Sequence, residues 1–183
     1  MQQPVRIVIA LILIALGILG WHIFFPSPQT AIRSRLKNLA KVASFKPKDG
    51  NIARIYKAHH FPDFFTSDVV VNVELRGYGE TTLTGIEQLQ DAQRMVLNPQ
   101  WAGGVDVELD DISVNVGADK RTAIANLTLK VTVEGQPDFI VKELNVSLKK
   151  VDRQWVIYKV DTVKTLSGGV EKGVEGSVLG VER

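Results

Sequence analysis

The feature that most restricts the fold is a strictly alternating run of apolar residues in the second half of the chain. Within Thr122–Glu134, every odd-numbered position from Ala123 to Val133 is apolar. Successive side chains of a β-strand point to opposite faces, so one face of this strand is buried and the other meets solvent. A strand with this pattern is typical of an antiparallel sheet that is covered on one side.

Other segments extend this picture to a whole domain. Valine-rich or alternating stretches predict strands at Asp68–Leu75, Val105–Val116, Phe139–Val151 and Gln154–Lys164, with a turn at 77–79. Apolar spacings of three and four predict helices at Thr30–Ser44, Asn51–His59 and Thr84–Leu97. The second of these helices groups Ile52, Ile55 and Tyr56 on one face. Helix, helix, strand, helix and then a run of antiparallel strands indicates an α+β fold.

Two strands change the parity of their apolar residues partway along. The change falls at Asp110–Asp111 in one strand and at Lys142–Glu143 in another. A parity change requires one extra residue, which is a β-bulge. Two bulges predict a strongly curved, mainly antiparallel sheet that wraps, with three helices packed on it, into a cone with an interior.

The N-terminal segment 1–28 is predicted to be a tail and a transmembrane anchor. Ile7–Phe25 is a run of 19 residues that is apolar except for two glycines and His22. At 1.5 Å per residue, it would span roughly 28 Å, close to the thickness of the hydrocarbon core. The alternative is a cleaved signal peptide, whose apolar region is usually shorter. The sequence favours an uncleaved single-pass signal-anchor.

Positive charge flanks both ends of this segment, so the orientation has two interpretations. Arg6 favours a cytoplasmic N-terminus, whereas the basic residues after the anchor favour the reverse. We expect the domain on the extracytoplasmic, periplasmic side. From Thr30 to Ala58 there are eight Lys and Arg residues against one acid, Asp49. Contact with anionic lipid is predicted for Arg33, Arg35, Lys37 and Lys41. The alternative is an ordinary solvated face of amphipathic helices.

Composition removes several classes of function. The chain has no cysteine, which excludes disulfides, thiolate catalysis and Cys-ligated metal sites. No nucleic-acid interface is expected, since the basic run lacks interleaved aromatics. No metal site is expected either, because the adjacent His59 and His60 diverge by about 100° on a helix, and no cofactor-binding motif is present. The domain is predicted at 29–166, followed by a flexible tail at 167–183 that is rich in glycine.

The chain resembles the nuclear transport factor 2-like superfamily, which includes the SnoaL-like and ketosteroid isomerase-like families. The residues that carry the resemblance are Phe64–Val71 entering the first strand, Leu83–Leu89 opening the third helix and Asp152–Tyr158 in the last strand. The resemblance implies a cone-shaped fold and dimers formed through the convex face of the sheet. In enzymes of this superfamily, a carboxylate or a histidine acts as base inside the cone.

The candidate site residues are those that such a cone would bring towards its interior. Tyr56, His59 and Asp63 would share a face if the second helix extended to them; alternatively, Pro62 ends the helix and the histidines are exposed. Asp111 and Glu143 lie at the two predicted bulges. The catalytic candidates are His59, Asp63, Asp111 and Glu143, and the ligand-binding candidates are Tyr56 and Trp101.

Three functions fit these features. The first is a membrane-anchored, non-enzymatic domain that binds a partner protein, itself included, or an apolar small ligand. The second is a cyclase, isomerase or hydratase acting on a hydrophobic small molecule. The third is a structural subunit of a membrane assembly. The sequence favours the first because no catalytic constellation is recognisable in it.

Overall fold

The computed structural model describes residues 27–46, 48–75, 79–96, 104–135 and 139–168. Within these ranges, no helix is both long and apolar enough to cross a membrane. The predicted anchor Ile7–Phe25, the candidate Trp101 and residues 169–183 of the predicted tail lie outside them.

The described ranges contain three α-helices and six strands. The helices are α1 (Pro28–Ala43), α2 (Asn51–His60) and α3 (Ile86–Val96), and a 3-10 turn covers Pro62–Phe64. The strands are β1 (Phe65–Leu75), β2 (Gly79–Thr84), β3 (Val105–Val116), β4 (Thr122–Val133), β5 (Phe139–Val151) and β6 (Gln154–Gly168). The predicted α+β class is confirmed.

All six strands form one sheet in the order β2-β1-β6-β5-β4-β3. Only the β1–β6 pair within this sheet is parallel, so the sheet is mainly antiparallel as predicted. Strand β2 was not predicted. Its sequence is short and polar, but three of its six residues are threonine, a β-branched residue that suits strands. It forms a hairpin with β1, whose start lies at Phe65, three residues before the predicted Asp68.

The alternation in β4 has the predicted consequence. Ala123, Ala125 and Leu127 are buried, whereas the residues between them are exposed. They face the concave side of the sheet together with Val146 and Leu148 of β5. Helix α1 covers this side with Ile32, Leu36 and Ala40, which are buried against the sheet. The core is therefore the space between α1 and the concave face.

The first predicted bulge is confirmed. The β3–β4 register shifts between Asp110 and Ser113, so that Asp111 and Ile112 lie opposite one residue of β4. Asp111 adopts a φ of 51°, a left-handed conformation that aspartate tolerates better than most residues. Such a bulge bends its strand and increases its twist, which curves the sheet around α1.

The second predicted bulge lies on a different strand. Pairing between β4 and β5 is continuous through Lys142 and Glu143, so β5 contains no extra residue there. The irregularity is in β6, where Val163 has no partner because Glu143 pairs with Lys164 and Leu144 with Thr162. The assignment of a bulge to Lys142–Glu143 was therefore wrong. Lys142 is instead an inward-facing position of a regular strand.

Helix α2 turns its apolar side away from the protein. Ile52, Ile55 and Tyr56 are 86%, 69% and 61% exposed, and the helix buries no residue fully. Its polar side faces inwards: Lys57 Nζ lies 2.7 Å from Asp49 Oδ2, and the Arg54 guanidinium lies 5.9 Å from the Phe45 ring centroid. The sequence correctly grouped the apolar residues on one face, but that face meets solvent.

A row of polar side chains crosses the convex face of the sheet. It consists of one residue from each strand, namely Thr82, Asn72, Asp161, Asn145, Asn126 and Ser113. Asn72 Nδ2 donates to Asp161 Oδ1 at 2.7 Å, and Asn145 Nδ2 donates to Asn126 Oδ1 at 2.8 Å. Hydrogen bonds from Lys159 and then from Asn72 lower the pKa of the Asp161 carboxyl.

The packing of α1 predicts that two isoleucines contribute very differently to the free energy of unfolding. Ile32 in α1 is fully buried, so Ile32→Ala should lower the free energy of unfolding by about 2–5 kcal/mol. Ile52→Ala in α2 removes the same atoms from an exposed position and should change it by less than about 0.5 kcal/mol. Urea denaturation followed by circular dichroism measures both. Equal losses would contradict the assigned core.

The Asp161 hydrogen bonds predict a pH-dependent contribution to stability. Because the folded protein lowers this pKa, the contribution is complete above the ordinary carboxyl value of about 3.9 and is lost as the pH falls through the folded value. Asp161→Asn should therefore cost about 1 kcal/mol at neutral pH, and less as the pH falls towards 3. Urea denaturation across this pH range measures the difference.

Asp152→Asn, in the exposed β5–β6 turn, is the matched control and should leave the free energy of unfolding nearly unchanged at every pH. A penalty for Asp161→Asn that did not change with pH would contradict a role for the ionised carboxylate.

Candidate functional site: an apolar cavity inside the cone

A cavity of about 280 Å³ lies between α1 and the concave face of the sheet. Eighteen described residues line it, and every one of them is alanine, valine, leucine, isoleucine or phenylalanine. This volume is at the small end of ligand pockets in proteins. The cavity is therefore large enough for a small apolar molecule.

Each wall of the cavity follows from a local feature of the sequence. Helix α1 contributes Leu36 and Leu39 together with two small residues, Ala40 and Ala43, which leave space at its C-terminal half. The sheet contributes inward-facing valines and leucines of five strands, and α3 contributes Leu89. Phe61 and Phe65 close one side, with their ring centroids 5.0 Å apart.

The chemistry of such a lining is selective. A polar group brought into the cavity would lose its hydrogen bonds to water and find no side-chain partner among the described lining residues, at a cost of several kcal/mol. An apolar molecule gives up no hydrogen bonds when it leaves water, and it gains dispersion contacts with the walls of the cavity. The cavity therefore favours an apolar ligand, or the apolar part of an amphipathic one.

The predicted Tyr56, His59 and Asp63 cluster forms only in part, and outside the cavity. Helix α2 ends at His60 and Pro62 opens a 3-10 turn, so the helix does not extend to Asp63. His60, not His59, contacts Asp63, with 3.0 Å between Nδ1 and Oδ2. The Tyr56 ring lies 4.2 Å from the ring of His60. His59 is exposed beside them.

The two carboxylates at the predicted bulges also lie away from the cavity. Asp111 is exposed at the β3 bulge. Glu143 is half-buried and pairs with Thr128, and the neighbouring Leu144 and Leu127 are the residues that face inwards. Across the described ranges, His, Asp and Glu side chains nowhere gather in groups of three that could hold a metal ion.

The inward-facing residue that the sequence did not single out is Lys142. It is 7% exposed, and its Nζ donates to the backbone carbonyl of Glu74 in β1. Its strand neighbour Leu144 and its cross-strand partner Leu129 both line the cavity, so the lysine lies beside it. The signal in the sequence is the shared parity of positions 142, 144, 146 and 148, which continues through the lysine in the regular pairing of β5 with β4.

The four basic residues predicted to contact lipid have different environments. Arg35 packs on Phe64, with its guanidinium carbon 4.2 Å from the ring centroid, and donates to the Asp63 backbone carbonyl. Burial lowers the pKa of Arg35, and the charge of Asp63 partly opposes this change. Arg33, Lys37 and Lys41 are exposed. Of these, Lys37 and Lys41 line an open groove that they share with acidic residues of β3.

Comparison with known proteins identifies the fold. No protein-family model matches the sequence, and no curated protein matches it. Solved structures do match. Aln2 from a Streptomyces species has a TM-score of 0.58 at 14% identity, covering 75% of this chain and 91% of that protein.

Two further structures agree. An NTF2-like protein with a cystatin-like fold from Novosphingobium aromaticivorans has a TM-score of 0.58 at 17% identity, covering 83% of this chain and 90% of its own. The yeast UBP3-associated protein BRE5 has a TM-score of 0.55 at 14% identity, covering 79% of this chain and 100% of its own. At these identities the similarity shows the fold and leaves the activity open. The chain thus has the cone-shaped fold of the nuclear transport factor 2-like proteins.

Proposed function

We propose that this chain is a membrane-anchored, non-enzymatic domain that binds an apolar small molecule in the cavity between α1 and the sheet. The single observation that carries the proposal is the lining itself, which contains no polar side chain among its eighteen described residues. A site built for apolar contact alone gains its binding energy from area removed from water.

The membrane part of the proposal is supported by the sequence. The apolar run Ile7–Phe25 ends three residues before α1 begins at Pro28, so an anchor there would hold the domain close to the bilayer. A bilayer is also a reservoir of apolar molecules, which gives a binding domain a reason to be tethered to it. An extracytoplasmic position and self-association through the convex face stay predictions.

The alternative of an enzyme that uses acid–base chemistry has less support. A general acid or base must come within hydrogen-bond reach of the substrate, about 2.6–3.2 Å or one water away. None of His59, Asp63, Asp111 and Glu143 lines the cavity. A cyclase, isomerase or hydratase would need such a group in the cavity, whereas a binding domain needs none.

The binding proposal predicts that partly filling the cavity weakens binding without unfolding the protein. Ala43→Leu places a larger apolar side chain into the empty volume, so the Kd for a neutral apolar probe such as N-phenyl-1-naphthylamine should rise about tenfold or more. Stability should stay within about 1 kcal/mol of the parent protein, because the added atoms occupy free space. Probe fluorescence titration and urea denaturation measure the two quantities.

Ala118→Leu, in the exposed β3–β4 turn, is the matched control and should bind the probe normally. Unchanged probe affinity in a folded Ala43→Leu variant would place the probe outside the cavity and contradict the proposal.

The position of the titratable candidates gives a second prediction. His59→Gln, Asp63→Asn, Asp111→Asn and Glu143→Gln each alter a group outside the cavity, so each should change the Kd for the same probe by less than about twofold. Fluorescence titration of the four variants measures this. A large loss of affinity in any one of them would assign that residue to the pocket and favour the enzymatic alternative.

A further inference from the structure

Helix α2 presents an outward apolar stripe, which consists of Ile52, Ile55 and Tyr56. A helix on the surface of a protein normally turns its apolar side to the core and its charged side to water. Here the arrangement is reversed, since the stripe is exposed and the opposite side carries Arg54 and Lys57. A contiguous apolar patch that the fold leaves uncovered marks a surface with a partner.

The reversed orientation is fixed by specific contacts. Lys57 Nζ donates to the carbonyl oxygen of Ser44 at 3.0 Å and pairs with Asp49. The Arg54 guanidinium lies over the Phe45 ring on the same inner side. Successive residues of a helix are about 100° apart around its axis. When residues 54 and 57 face inwards, residues 52, 55 and 56 therefore face outwards.

The connection to the N-terminal segment indicates what covers the stripe. Arg35, in the second turn of α1, donates to the carbonyl of Asp63, just beyond the end of α2. The C-terminal end of α2 therefore lies beside α1 at about 10 Å along its axis from Pro28. Arg54 and Lys57 contact Phe45 and Ser44, so the part of α2 that carries the stripe lies beside the C-terminal end of α1, about 24 Å along its axis from Pro28. The apolar run Ile7–Phe25 ends three residues before Pro28, so a bilayer that held this run would reach the stripe when α1 lies along its surface.

Charge complementarity points to the same partner. Five of the eight basic residues in Thr30–Ala58 are exposed, namely Arg33, Lys37 and Lys41 on α1 and Lys46 and Lys48 in the loop that enters α2. Basic residues beside an apolar helix face are typical of helices that lie in the interface of membranes with anionic lipids.

We propose that the α2 stripe inserts into the interfacial layer of the bilayer that holds the N-terminal segment, with anionic lipid as its partner. This inference rests on the anchoring part of the proposed function. It also has a consequence for the cavity. Phe61 directly follows α2 and lines the cavity, so docking of α2 brings one cavity wall next to the lipid. An apolar ligand could then pass between the bilayer and the cavity with little exposure to water.

The absence of cysteine allows a direct test with the full chain. A spin label is attached to Ile55→Cys in protein reconstituted into vesicles of phosphatidylcholine and phosphatidylglycerol. Collisions with oxygen, which concentrates in lipid, and with a water-soluble nickel chelate are measured by electron paramagnetic resonance. Ile124→Cys is the matched control, because Ile124 is also exposed but lies on the convex face of the sheet.

Docking predicts an oxygen-to-nickel accessibility ratio at position 55 that is at least about fivefold higher than at position 124. The ratio at position 55 should fall in vesicles of phosphatidylcholine alone, and also when Ile52→Ser and Tyr56→Ser are added. Both substitutions alter exposed side chains, so the fold is retained.

Two results would overturn the docking of α2 while leaving the anchor in place. One is free access of the nickel chelate to position 55 in protein that sediments with the vesicles. The other is a label shielded from both reagents, which would mean that protein covers the stripe. A full chain that fails to sediment with vesicles would overturn both the docking and the anchor, but not ligand binding in the cavity.

Discussion

The structure depends on the packing of α1 against the concave face of the sheet. The inward residues of β4 and β5 form an apolar surface that would meet water without the helix, and Ile32 and Leu36 cover it. The cavity is a product of the same contact. Where α1 carries Ala40 and Ala43 in place of larger residues, and where the β3 bulge bends the sheet around it, the two layers do not fill the space between them.

The sequence predicted those parts of the fold that follow from short-range periodicity. Alternation along β4 and the parity change at Asp110–Asp111 indicated a half-buried sheet and its bend, since both depend only on the pleat. Strand β2 was missed because its polar threonines carry no alternating apolar signal. The bulge predicted at Lys142–Glu143 was wrong because apolar parity alone does not show that a lysine can face inwards, and here its ammonium reaches the Glu74 carbonyl across the concave face.

Helix α2 shows a different limit of periodicity. The spacing of Ile52, Ile55 and Tyr56 indicates that they share a face, but it does not indicate what that face meets. The direction is set by contacts of Arg54 and Lys57 with Phe45 and Asp49 in the preceding loop, which the spacing of apolar residues does not reveal. The same holds for the cavity, whose lining converges from two helices and five strands. Candidates chosen as titratable residues near bends therefore fell outside it.

The central claim is that an apolar ligand occupies the space between α1 and the sheet. Methyl NMR of the full chain, titrated with the neutral apolar probe, tests this most directly because leucine, valine and isoleucine methyls line the cavity and also mark the outer surfaces. Shift changes and probe contacts confined to residues such as Leu127, Leu144 and Val146 are predicted. Changes at the exposed Ile124 and Val163 instead, with the cavity methyls unmoved, would contradict it.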